Sequence, residues 1–107
     1  MQVSNVLKLD LTKATAEKLL RELALDSSKV VFSRHANGRG NQRKISHLQI
    51  LECLRKGRII EGPAKSIKGN WELKVTYLSA GEPINVVAAL DWQSGLGNYV
   101  IVVTTYK

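Results

Sequence analysis

The sequence predicts an α+β fold: two helices packed on one face of a mostly antiparallel sheet of four to five strands. Three observations carry this. Apolar residues recur at helical spacing in two stretches, 16–23 and 48–54. Apolar, β-branched runs fill the second half, at 70–78, 83–90 and 99–106. Turn signals at 79–82 and 95–98 separate those runs, so they follow one another as an antiparallel meander.

The elements follow in order. Leu7, Leu9 and Leu11 alternate with Lys8 and Asp10, the pattern of a short half-buried strand. Thr12 is placed to cap a helix whose inner face is Ala16, Leu19, Leu20 and Leu23, and Asp26, Ser27 and Ser28 end it. Val30, Val31 and Phe32 favour a strand. Ser46 and Gln49 form a capping box for a second helix with Leu48, Leu51 and Leu54 along its stripe. Gly57 stops that helix, and Arg55 and Lys56 suit the dipole of its last turn. A short strand at 58–61 is expected to end at Gly62 and Pro63. Trp71, Leu73, Val75 and Tyr77 share one face of the next strand.

A chain of 107 residues is expected to form one domain, 1–107, with a core that needs no disulfide or metal staple. Cys53 is the single cysteine, which excludes an internal disulfide and suits a reducing compartment. No apolar run is long enough to span a bilayer, and no signal-peptide core is seen at the start, so a cytoplasmic protein away from membranes is expected. Charge is unevenly spread. Eleven of the sixteen Lys and Arg residues, but three of the nine acids, lie between positions 29 and 74. The local balance is +8 against −1 elsewhere, which favours a polyanionic partner.

The densest part of that excess is the run 32–46, with His35, four cations and no acid. His35, Arg39 and Arg43 fall at i, i+4 and i+8, so a helical backbone would align them. Imidazole moves protons near neutral pH, and guanidinium forks grip phosphate oxygens. The plainer reading of His35 is a side chain capping a helix or bonding to backbone. For Arg34, Arg39 and Arg43 it is a solvated basic surface. His47 opens a helix, where positive charge is disfavoured, and reads as a surface residue. Trp71 and Tyr77 read as core, and Trp92, beside Asp91 at a turn, as an exposed ring on which a base can stack. Cys53 reads as a small buried hydrophobe. No metal-ligand spacing, phosphate-binding glycine loop or dinucleotide fingerprint is present, and neither metal nor cofactor is expected.

Phe32, Ser33, Arg34, His35, Ala36, Arg39, Arg43, Ile45 and Ser46, together with Val102, Val103, Thr104 and Tyr106, resemble the signature of a small bacterial domain family of unknown function. The resemblance covers 30–107, with 1–29 as an extra strand and helix. The implied architecture is similar to that of RelE-like and BrnT-like toxins, and of barnase, small basic ribonucleases that work without a metal. The sequence departs from the family where Gly38 and Gly40, with Asn37 and Asn41, disfavour the helix expected after the histidine. Each glycine costs about 1 kcal/mol relative to alanine, which leaves helix and mobile loop both open.

The resemblance implies a basic RNA-binding domain acting as a metal-independent endoribonuclease, with an antitoxin or immunity protein as partner. His35 would serve as acid or base, Arg39 and Arg43 would hold the phosphate, and Tyr106 would join them if the last strand lies beside 30–32. Thr104 would lie with it. Arg34, Lys44, Lys65, Lys68, Trp92 and Lys107 are the further nucleic-acid-binding candidates. The alternative is a non-catalytic module that binds nucleic acid or an acidic protein.

Overall fold

The structure, a computed structural model, describes residues 11–67, 69–91 and 99–107. The strand expected around Leu7 and Leu9, and the candidates Lys68 and Trp92, lie outside the described residues. Helix α1, Lys13–Ala24, begins where the Thr12 hydroxyl accepts the Thr15 N–H, and it buries Ala16, Leu20, Leu23 and Ala24. A 3-10 turn, Ser27–Lys29, follows, capped by Asp26. The Ser28 hydroxyl (2.6 Å) and N–H (3.1 Å) both donate to the Asp26 carboxylate and hold it below the usual carboxylate range.

Strand β1, Val30–Phe32, leads into α2, Arg34–Arg43, and then α3, His47–Lys56. Strands β2, Arg58–Lys65, β3, Trp71–Ser79, β4, Glu82–Asp91, and β5, Tyr99–Tyr106, complete one five-stranded sheet in the order β1-β5-β4-β3-β2. β1 runs parallel to β5, and the other three pairings are antiparallel. The fold is therefore α+β on a mixed sheet, with the last strand beside 30–32, the condition on which Tyr106 would join the basic stripe. Ala80 (φ 51°) and Gly81 (φ 84°) turn β3 into β4. Two successive positive φ angles give the turn the twist a tight hairpin needs.

Helices α1 and α3 pack on one face of the sheet, where Leu20, Ile50 and Leu54 meet Val75, Val86 and Val102 at 1% exposure or less. Burial of each such side chain contributes about 1.5–3 kcal/mol. Arg55 donates to the Ala24 carbonyl at 2.7 Å and clasps the two helices together. The capping box is present as expected: Ser46 Oγ accepts the Gln49 N–H, and Gln49 Oε1 accepts the Ser46 N–H. Gly57 does end α3, for a reason other than left-handed geometry. Its φ is −77°, and a Cβ there would stand 2.4 Å from the Cys53 carbonyl and 2.6 Å from that of Thr76.

One expectation is corrected and one open choice is decided. The strand beginning at Arg58 does not end at Gly62 and Pro63; β2 continues through them to Lys65, with register shifts on either side of Glu61. Pro63 is tolerated because β2 is an edge strand. The glycine-rich basic run, for which helix and loop were both open, is a helix, which makes three α-helices among the described residues where two were expected.

Candidate functional site

The basic helix forms because its ends are well satisfied. Ser33 Oγ accepts the Ala36 N–H at 3.0 Å and caps its start. At its end Lys44 takes a left-handed conformation (φ 57°, ψ 45°) and the Ile45 N–H closes onto the Gly40 carbonyl at 2.8 Å. That closure is the Schellman arrangement, here without glycine at the left-handed position. The face of α2 carrying Ala36 and Gly40 is buried against β5. A Cβ at Gly40 would stand 3.0 Å from the Ile45 carbonyl and 3.9 Å from Thr105 Cγ2, so the helix and strand approach closely. Packing and caps together outweigh the unfavourable propensity of two glycines.

Beside that buried face, His35, Arg39 and Arg43 line an open depression of about 290 Å³ whose other wall is Thr104, Thr105 and Tyr106. An adjoining depression is lined by His35, Gly38, Arg39 and Gln42. His35 and Arg43 are exposed and Arg39 is half-buried. Four residues advance a helix by about 6 Å, so the stripe presents three sites over about 12 Å. Among the described residues, the salt bridges involve Arg21, Lys56, Lys74 and Lys107, and none involves Arg34, Arg39 or Arg43.

A bulge in β5 aims the opposite wall. Val87 pairs with Thr104 and Ala88 with Val102, which leaves Val103 as the extra residue. Were Val103 paired in the ladder instead of bulged, alternation from the buried Val102 would send Thr104 and Tyr106 to the helix-covered face. With the bulge, Thr105 is the buried residue, at 0% exposure, and Thr104 and Tyr106 reach the open face. Ser33 ties the bulge to the helix: its N–H donates to the Val102 carbonyl (3.1 Å) and its hydroxyl to that of Val103 (3.0 Å). One serine thus caps α2 and fixes it to the strand that carries Tyr106.

Lys74, on β3, was not legible in the sequence as part of this surface. Its ammonium lies 5.4 Å from the Tyr106 ring centroid and 3.2 Å from Glu61 Oε2. The Tyr106 hydroxyl, and then the Glu61 carboxylate, hold it charged above the ordinary lysine range. Glu61, Glu72, Lys74 and Val87 help line a further depression of about 220 Å³ on the same face. Only the pairing of distant strands reveals this neighbourhood.

The remaining candidates are dispersed. Arg34 and Lys44 are exposed at the two ends of α2. Lys107 pairs with Glu82 at 3.0 Å and does not line the depression. Lys65 stands on β2, at the opposite edge of the sheet from β1, with its ammonium 5.8 Å from the Trp71 ring. Trp71 is 8% exposed and Tyr77 packs against the core, so both are structural. His47 is exposed, but its ring stacks on Phe32 at 3.9 Å and its Nε2 bonds to Asn37 Oδ1 at 2.6 Å. It stitches α3 to α2. Cys53 is buried and donates weakly to the Val75 and Ile84 carbonyls, and burial pushes its thiol up to about 12. Asp91 bonds to the Tyr99 hydroxyl and raises it above the ordinary tyrosine range. Among the described residues no three His, Cys, Asp or Glu side chains gather as a metal-ligating group, and no helix is long and apolar enough to cross a membrane.

The fold and site together define an α+β domain with a basic helix laid against the strand that completes its sheet. The chain belongs to the family described as Domain of unknown function (DUF4258), whose model matches residues 32–107. The match begins at Phe32, so α1 lies outside it. No curated protein and no solved structure matches the chain.

Proposed function

We propose that this protein binds RNA through the depression between α2 and β5 and cleaves it there without a metal, in the manner of a small endoribonuclease toxin. The observation that carries the reading is the meeting of His35, Arg39 and Arg43 with Thr104 and Tyr106 in one depression. Cleavage by the 2′-hydroxyl needs a group to take its proton, one to protonate the leaving oxygen, and cations for the charge gathering on phosphorus. His35 moves a proton. Arg39 and Arg43, about 6 Å apart along the helix, clamp the phosphate oxygens. The Tyr106 hydroxyl, on the opposite wall, donates to the leaving or bridging oxygen. Acid–base help of this kind supplies about 10²–10⁴-fold, and each aimed donor about 10²–10³-fold. An acidic antitoxin or immunity protein is the partner that fits such a basic surface.

The test is incubation of purified wild type, His35→Ala and Arg39→Ala with total RNA in EDTA, read on a denaturing gel. Cleavage by wild type that both variants lose is the expected result. Equal cleavage by all three overturns the assignment of the site.

One observation favours a second reading. Among the described residues no hydrogen bond orients the His35 ring, whereas catalytic bases are commonly held by a third group. The second reading is a module that binds RNA at the same depression without turning it over. RNA binding with a steep salt dependence and no cleavage in the same assay selects it.

A further inference from the structure

The pairing of the strands sorts the open face of the sheet into rungs of distinct chemistry. Arg58 pairs with Thr76, Thr76 with Asn85, and Asn85 with Tyr106. Paired residues share a face. Their chain neighbours Ile59, Val75, Val86 and Thr105 are buried on the helix-covered side, so this rung faces outward. It runs from the Tyr106 wall of the depression to a cation at the far edge strand and carries no acid. Its length is three strand spacings, about 15 Å.

The rungs on either side differ. One holds Glu61, Lys74, Val87 and Thr104, in pairing order. There the single cation is matched by Glu61, and Glu72 lines the same hollow, so this rung repels phosphate. Glu61 faces outward only because Ile60 is an extra residue in β2 opposite Val75. The rung on the other side pairs Leu78, 65% exposed, with Pro83. It offers an apolar margin to bases. Among the described residues Arg58 makes no salt bridge.

We propose that single-stranded RNA held in the α2–β5 depression continues across the sheet along Tyr106, Asn85, Thr76 and Arg58, with Arg58 gripping a phosphate at the far end and Glu61 closing off the neighbouring rung. This rests on the RNA reading above and adds to it a direction and an outer contact.

The experiment measures binding of 2′-O-methyl dinucleotide and octanucleotide, which resist cleavage, to wild type and to Arg58→Ala, Glu61→Gln, Arg39→Ala and Lys18→Ala across a range of salt. Lys18 is an exposed lysine on α1 and serves as the same change of charge on the helical side. Arg58→Ala should reduce the octanucleotide salt slope by about 0.7, the share of one single-strand phosphate contact. It should leave the dinucleotide unaffected, and Lys18→Ala should leave both slopes unchanged. Glu61→Gln should tighten octanucleotide binding, a gain that misfolding cannot mimic. Wild-type and Arg39-dependent binding with Arg58→Ala no different from Lys18→Ala overturns the path alone. No octanucleotide binding by wild type overturns the path and the RNA reading together.

Discussion

Gly38 and Gly40 lie two residues apart in α2, and replacing each with alanine should change stability in opposite directions. Alanine is favoured over glycine in a helix interior by about 1 kcal/mol, largely because the unfolded chain loses freedom. At Gly38 nothing lies within 4 Å of the added Cβ, so the full gain is expected. At Gly40 the Cβ would stand 3.0 Å from the Ile45 carbonyl. That carbonyl is backbone, in a residue 5% exposed whose N–H is bonded back to Gly40 at 2.8 Å. It cannot yield without loosening the helix end, so the gain is cancelled and a net loss results. Gly38→Ala should raise the midpoint of thermal unfolding by roughly 4 °C, from about 1 kcal/mol in a domain of this size, and Gly40→Ala should lower it. Urea and thermal unfolding of both variants beside wild type decide the matter. A Gly40→Ala gain equal to that of Gly38→Ala would refute the packing account of α2 against β5. Gly38→Ala also keeps every cation of the stripe, so under the proposed function it binds RNA at least as tightly as wild type.

The two histidines should separate cleanly. His47→Ala removes the stack on Phe32 and the bond to Asn37, and should cost about 1–2 kcal/mol of stability while leaving RNA cleavage intact. His35→Ala should change stability by less than about 0.5 kcal/mol and abolish cleavage; the reverse pattern in unfolding and gel assays would exchange their roles. Cys53 sets an alkaline limit. Its thiol ionises near 12 in the folded chain against an ordinary 9.0, so over that interval protons leave the unfolded chain first and stability falls as pH rises. Lys74, held charged above its ordinary range, acts in the same direction. Urea unfolding at about pH 8 and about pH 10.5 should therefore show a steeper loss for wild type than for Cys53→Ala, and equal losses would count against burial of the thiol.

Much of the fold was legible because local signals agree with the global arrangement. Thr12 and the Ser46–Gln49 box mark helix starts that the structure contains. The apolar runs of the second half are strands, whereas the pairing of β5 with β1 was implied only through the family resemblance. The basic run was ambiguous because Gly38 and Gly40 carry a propensity cost that only tertiary packing offsets. Small residues at Ala36 and Gly40 let α2 lie close to β5, which spacing alone does not announce. Gly62 and Pro63 read as a stop because nothing local says that β2 is an edge. In the site, His35, Arg39 and Arg43 were legible as one stripe, Thr104 and Tyr106 were joined to it only through the resemblance, and Lys107 was drawn away by Glu82. Arg58 and Lys74 join that surface only through strand order, to which their own neighbours in sequence give no clue.

The extra residue at Val103 gives this domain an unusual way to lose its site. Everything after the bulge depends on Val103 staying out of the ladder: if it paired in regular alternation, Tyr106 would exchange sides with Thr105. Such a change of register would leave all the named site residues in the chain, and the β4–β5 pairing before the bulge unchanged. The polar wall would nevertheless turn inward and a buried threonine outward. Counting matters here as much as chemistry. Deleting Val103 instead would set Thr104 directly after Val102 and keep Thr104 and Tyr106 on the open face.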